Sequence, residues 1–172
     1  QYTWGIAFLL ENNGSRTVTL DNMHIWNNTI IGGTSSNFDA IRWVANGTAT
    51  NSSIKNNIIS QWNNRAINIV RQANESASFT NFDVTHNCLH NNGSNIVFMA
   101  SDISRTNVNL STGNILSNPL LTSTYRLGDS SPAIAAGINV GLTGTDLDGI
   151  TWANPPSMGA FEGTIPPSPP DT

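Results

Sequence analysis

The sequence predicts an all-β protein: a right-handed parallel β-helix with three short strands per coil and an irregular C-terminal segment. Two observations predict it. Four asparagines, Asn28, Asn57, Asn87 and Asn114, sit in the similar settings HIWNNTI, SIKNNII, DVTHNCL and STGNILS, spaced 29, 30 and 27 residues apart. A period in that range marks a repeat architecture, in which each unit buries its apolar face against its neighbours. Around each asparagine the apolar pattern also recurs. Met23 and Ile25, Ile54, and Phe82 and Val84 fall at alternate positions before it; Ile30, Ile58–Ile59, Cys88–Leu89 and Ile115–Leu116 follow it. An alternation of two belongs to a strand with one buried face.

Each coil needs a third strand, and the candidates are GIAFLL (5–10), AIRWV (40–44), AINIV (66–70) and NIVFMA (95–100). With Ile6 and Phe8, Ile41 and Trp43, Ile67 and Ile69, and Ile96 and Phe98 turned inward, they build a second apolar column. GGTSSNFD (32–39) and ANGTATNSS (45–53) are rich in Gly, Ser, Thr and Asn, as loops are. Asparagine tolerates the left-handed backbone region, so the repeated asparagine is expected to turn the chain between two strands. Stacked at a strand spacing of about 4.8 Å, its amides can hydrogen-bond along a ladder. Cys88 is the one cysteine, which excludes an internal disulfide; its place in the apolar column predicts a buried thiol acting as a small hydrophobe. In the fourth coil Leu110 stands one place out of register, which predicts a slip or bulge.

The coils are assigned to residues 1–117, a terminating segment to 118–163 and a proline-rich linker or tail to 164–172. No amphipathic helix precedes GIAFLL, so the first coil is expected to be covered by upstream coils of a longer chain or by a second copy, with self-association through that end as the consequence.

The repeat resembles that of the pectate-lyase-like superfamily of right-handed β-helices. The C-terminal stretch is similar to the end of secreted bacterial β-helix proteins. The matching residues are Asn118-Pro119, Tyr125-Arg126-Leu127, Ser131-Pro132-Ala133-Ile134, Gly137, Asp146, Asp148-Gly149 and Gly159-Ala160-Phe161-Glu162. The sequence departs from that pattern at Ala135, where the family often has aspartate, and at Thr151-Trp152, where it has arginine. The resemblance implies a secreted or cell-surface location and a polysaccharide partner, but the superfamily hosts lyases, hydrolases, epimerases, adhesins and phage proteins.

Composition narrows the partners. Charged residues make up 10% of the chain, lysine occurs once, at Lys55, and the net charge is −4. That balance lacks the basic stripe a nucleic-acid partner favours, and no apolar run approaches the roughly 20 residues of a membrane span.

With the inward positions assigned, the residues two and four before each ladder asparagine face outward: Trp26 and His24, Lys55 and Ser53, Thr85 and Asp83. Trp26 beside a cation and a carboxylate is a platform for a sugar ring, because an aromatic face packs against the C–H face of a pyranose. His24, Trp26, Asn68 and Thr85 are therefore the substrate-binding candidates. The family resemblance implies lyase chemistry on uronic acids, in which a basic side chain takes the proton α to the carboxylate and a cation neutralises that carboxylate. Superfamily lyases use the strand face that here carries Arg42 and Asn68. Arg42 and Lys55 are the base candidates and Asp83 the acidic one.

No metal ligand set and no cofactor are assigned. A calcium ion would need acidic residues clustered within one coil, and none accompany Arg42 and Lys55. Asp146 and Asp148 lack the further oxygen ligands of a calcium loop and are expected to cap a turn. The expected function is the C-terminal part of a secreted polysaccharide-active protein, lyase-like or hydrolase-like, with its catalytic residues upstream of this segment or absent. The competing readings are a non-catalytic adhesive, glycan-binding solenoid and a subunit that stacks end to end as an extracellular fibre.

Overall fold

The computed structural model describes residues 6–9, 18–33, 38–45, 47–71, 77–99 and 103–163. They form twelve strands in chain order: β1 (Ile6–Leu9), β2 (Val18–Asp21), β3 (His24–Trp26), β4 (Thr29–Ile31), β5 (Ile41–Ala45), β6 (Gly47–Lys55), β7 (Ile58–Ser60), β8 (Arg65–Arg71), β9 (Ala77–Thr85), β10 (Cys88–His90), β11 (Ser94–Met99) and β12 (Ser104–Asn109). Every pairing between them is parallel. A first sheet runs β1-β5-β8-β11. A second stacks β2 and β3 on β6, then β9 and β12, and a third holds β4, β7 and β10. The chain visits the three sheets in turn and then returns to the first, a topology compatible with a parallel β-helix.

Inward side chains from all three sheets fill one core. Ile41, Trp43, Ile67 and Ile69 come from the first sheet, Ile25, Ile54, Phe79, Phe82 and Val84 from the second, and Ile59 and Leu89 from the third. Phe82 meets both Trp43 and Phe79 at near-perpendicular ring angles, with centroids 5.1 and 5.0 Å away. Ile6 packs against this core as expected. The side chains of Phe8 and Phe98, residues 1–5 at the expected open end and the 164–172 tail lie outside the described residues.

The asparagine ladder is present. Nδ2 of Asn28 donates to Oδ1 of Asn57 at 3.0 Å, Asn57 to Asn87 at 3.0 Å and Asn87 to Asn114 at 3.1 Å. Each rung also accepts the backbone N–H of the asparagine below it. The expectation that these asparagines make the left-handed corner is corrected. The positive φ angles belong to the residue before each one: Asn27 (51°), Asn56 (56°), His86 (54°) and Gly113 (68°). The two tasks are split between neighbours, because a side chain committed to the ladder needs a backbone that aims it inward. A second left-handed column, Asn22, Asn51, Asn81 and Asn107, bends the second sheet midway. In the first repeat this bend separates β2 from β3, whereas β6 and β9 run through it. Outside the bend a solvent-facing amide ladder links Asn107 to Asn81 and Asn81 to Asn51, and Asn51 caps Asp21.

The fourth repeat slips as predicted. Asn109 pairs with Asp83, an offset of 26, whereas Asn114 bonds to Asn87, an offset of 27. The extra residue is taken up by a turn in which Oδ1 of Asn109 accepts from the N–H groups of Ser111 and Thr112. Gly113 closes it against the His86 ring, where a Cβ would lie 2.4 Å from a ring carbon.

Residues 118–163 form no strand and lie along the flank of the third sheet. Ile58 and Cys88 point outward from that sheet, not into the central column assigned to Cys88, and are buried under Ala133 and Met158. The segment is pinned by Asn56, whose side chain exchanges two hydrogen bonds with the backbone of Ile138 and whose carbonyl accepts from Gly159 at 2.7 Å. Thr29 accepts from the Ala160 N–H at 3.0 Å, and Asn27 donates to the Ser157 carbonyl at 3.2 Å. The flank segment therefore ties the second repeat to the first.

Candidate functional site

The in-register strands of the second sheet set two outward columns side by side. One holds His24, Ser53 and Asp83; the other holds Trp26, Lys55 and Thr85. Ser53 bonds both rings from the neighbouring strand: the Trp26 Nε1–H donates to its Oγ at 2.7 Å, and His24 Nδ1 is 3.0 Å from the same oxygen. The other imidazole nitrogen is 2.9 Å from Asn22 Oδ1. Burial, and then the charge of Lys55, hold the His24 pKa below its usual value. The neutral ring that results fits these partners, with Nε2–H donating to Asn22 and Nδ1 accepting the Ser53 hydroxyl. The rings of His24 and Trp26 stack with centroids 4.2 Å apart and planes 24° from parallel. On the next strand Lys55 Nζ sits 2.7 Å from Asp83 Oδ2. Four candidates, His24, Trp26, Lys55 and Asp83, thus meet on one ledge.

Thr85 does not join them at the surface. It is 4% exposed, as is Ser53, which corrects the expectation that every position in these columns faces solvent. Thr85 is flanked by Lys55 on one neighbouring strand and by the slipped turn at 109–113, which accepts the His86 N–H through the Thr112 carbonyl. Its own carbonyl accepts from the ladder amide of Asn87.

Arg42 and Asn68 pair in register on the outer side of a different sheet, the first. They meet around a carboxylate the sequence reading did not single out. Asp39 is 1% exposed, and its Oδ2 accepts from Asn68 Nδ2 at 2.6 Å while Oδ1 accepts from Asn64 at 3.0 Å. The guanidinium groups of Arg65 and Arg42 stand 3.4 and 3.7 Å from it. A buried carboxylate needs such partners to remain charged. The sequence carries one local signal for it, Asp39 three residues before Arg42 and just ahead of an apolar strand. The structure therefore brings Lys55 and Asp83 together and sets Arg42 apart from them, in an ion-paired cluster with Asp39.

In the C-terminal segment Asp146 caps its turn as expected: Oδ1 accepts from the N–H groups of Asp148 and Ile150, each at 2.9 Å, and Oδ2 from Glu162. Asp148 instead forms a bidentate pair with Arg126, whose guanidinium also lies over the Phe161 ring. Among the described residues no group of three or more His, Cys, Asp or Glu side chains is placed to hold a metal ion, and no helix is long and apolar enough to cross a membrane. Compared with protein-family models, with curated proteins and with solved structures, the chain finds no match.

Proposed function

We propose that this chain is the polysaccharide-holding part of a secreted right-handed β-helix protein of the pectate-lyase-like kind, and that it engages an acidic polysaccharide along the outer face of the second sheet. The observation that carries the reading is the ledge on which the stacked His24 and Trp26 rings adjoin the Lys55–Asp83 pair. An aromatic face accepts the C–H face of a pyranose, and a lysine one strand away can exchange its carboxylate partner for that of a uronate. Neighbouring strands lie about 4.8 Å apart, so a sugar on Trp26 places its neighbour over Lys55.

Bond cleavage is assigned elsewhere. Arg42 is tied to Asp39 on another sheet, and Lys55 and Asp83 are already each other's partners. Within this chain Lys55 and Asp83 act as contact groups to the polymer. Affinity electrophoresis through gels containing pectate, alginate or glucuronan tests this. The wild type is retarded in at least one gel, and Trp26→Ala restores free mobility while the circular-dichroism spectrum is unchanged. Unretarded wild type in all three gels overturns the reading.

A further inference from the structure

A second feature faces away from the ledge. Where the C-terminal segment runs along the third sheet, three hollows of about 420, 350 and 420 Å³ join end to end. The first shares Gln61 and Leu121 with the second, and the second shares Ile31 and Tyr125 with the third. Their floor follows the register column Ile31, Ser60 and His90, one residue from each successive strand of the sheet. The result is a single furrow that crosses three strands and so runs at least two strand spacings, about 10 Å.

Two properties of its wall point to a ligand. Leu120 and Tyr125 are 44% and 54% exposed, and both hold left-handed backbone, at φ angles of 50° and 62°. Bulky side chains rarely adopt that region, and an outlier of this kind is stored where the surrounding structure enforces it for a purpose. Here it turns two large apolar side chains outward over the furrow, where neither is buried. The other lining groups mix amide, hydroxyl and imidazole side chains, including Gln61, His90 and Asn118 in the first hollow, with apolar ones, including Ile31 and Phe161 in the third. Among the described residues no Asp, Glu, Lys or Arg lines any of the three hollows.

We propose that this furrow binds a short run of neutral pyranose units, with Tyr125 as the ring on which one unit stacks. A wall that sets hydrogen-bonding groups beside apolar ones and an exposed aromatic suits sugar hydroxyls and C–H faces. For a uronate, the Arg126 guanidinium over the Phe161 ring is already held by Asp148 in a bidentate pair, and a peptide strand would find β7, the middle strand of the floor, already paired on both sides. The site rests on the polysaccharide reading above but takes a different sugar chemistry on a different face.

Isothermal titration with cellohexaose, xylohexaose, mannohexaose and maltohexaose, and with hexagalacturonate as the acidic arm, tests it. The variants are Tyr125→Asn and Trp26→Ala. Asparagine tolerates the left-handed backbone, so Tyr125→Asn removes the ring with no fall in melting midpoint. The expected result is that at least one neutral hexaose binds, insensitively to salt, and that Tyr125→Asn weakens it about tenfold or more while Trp26→Ala leaves it unchanged. Failure of every neutral hexaose to bind overturns the furrow. So does neutral binding that survives Tyr125→Asn and is lost in Trp26→Ala. In either case, hexagalacturonate binding that depends on Trp26 would leave the ledge standing; loss of both arms would remove both sites.

Discussion

Replacing Asn57 by alanine removes one rung from the centre of the buried ladder. The side chain is fully enclosed. Its Oδ1 accepts from both N and Nδ2 of Asn28, each at 3.0 Å, and its Nδ2 reaches the carbonyls of Ile25 and Lys55 at 2.9 Å and Asn87 Oδ1 at 3.0 Å. Truncation orphans the Asn28 N–H and takes a donor from the Ile25 carbonyl, while the Lys55 carbonyl keeps the Asn27 N–H and Asn87 keeps its bond from the Asn57 backbone. At about 1–3 kcal/mol for each buried group left unsatisfied, with the carbonyl at the lower end, the loss is about 2–4 kcal/mol. For a chain of this size a kcal/mol moves the melting midpoint by about 2–4 °C, so the fall should be roughly 4–16 °C. The control is Asn81→Gly in the exposed ladder. Asn81 makes two amide bonds in solvent and holds a φ of 52°, which glycine adopts without strain, so its loss should stay within about 1 kcal/mol. Thermal melts and urea titrations of both variants decide it. Equal midpoints would refute the reasoning, because they would show that the buried amides carry no more than the exposed ones.

Three further outcomes follow from the same geometry. Gly113→Ala should cost about 2–3 kcal/mol, from left-handed alanine plus displacement of the His86 ring, whereas Gly141→Ala, at φ 81° with open space around it, should cost only the strain of about 1 kcal/mol; urea midpoints compare them. Burial first and Lys55 second hold both His24 and His86 below the usual 6.5. The unfolded chain therefore takes up these protons first on acidification. Their contribution is complete above pH 6.5 and lost as pH falls from there through the lowered folded values. The stability slope just below pH 6.5 should flatten in His24→Gln/His86→Asn, and an unchanged slope would contradict this. Burial pushes the Cys88 thiol up to about 12, so a thiol reagent at pH 8 should label it only after denaturant is added.

Much of the coil was legible because repetition reports it four times over. The period, the inward columns and the slip at Leu110 all follow from residue spacing, and the ladder follows from asparagines at equivalent places. What was misplaced depended on single-residue geometry. Asn27 and Asn28 are both asparagines, and nothing in composition says which one takes the left-handed corner; only His86 and Gly113 at the equivalent place in later repeats hint at it. Cys88 and Leu89 are both apolar, so the sequence could not show that one faces the core and the other the flank segment. Asp39 was hidden because a buried carboxylate is recognised by its partners, and Asn64, Arg65 and Asn68 lie 25 to 29 residues away, one repeat further on. Thr85 looked outward by alternation but is buried next to His86, where the slipped turn docks. The furrow needed the docking of residues 118–125, which no periodicity encodes.

If the Trp26 ledge receives an acidic sugar chain as proposed, the indole N–H of Trp26 reports the contact directly. The chain has five tryptophans, so a nitrogen-proton correlation spectrum contains five indole signals, and Trp26→Phe identifies the one bonded to Ser53 Oγ. Titration with trigalacturonate, trimannuronate and triglucuronate should move that signal progressively to saturation with at least one of them, and Lys55→Gln should raise the ligand concentration needed severalfold. A Trp26 signal that stays fixed through all three titrations, or that moves only together with the other four, would contradict the account.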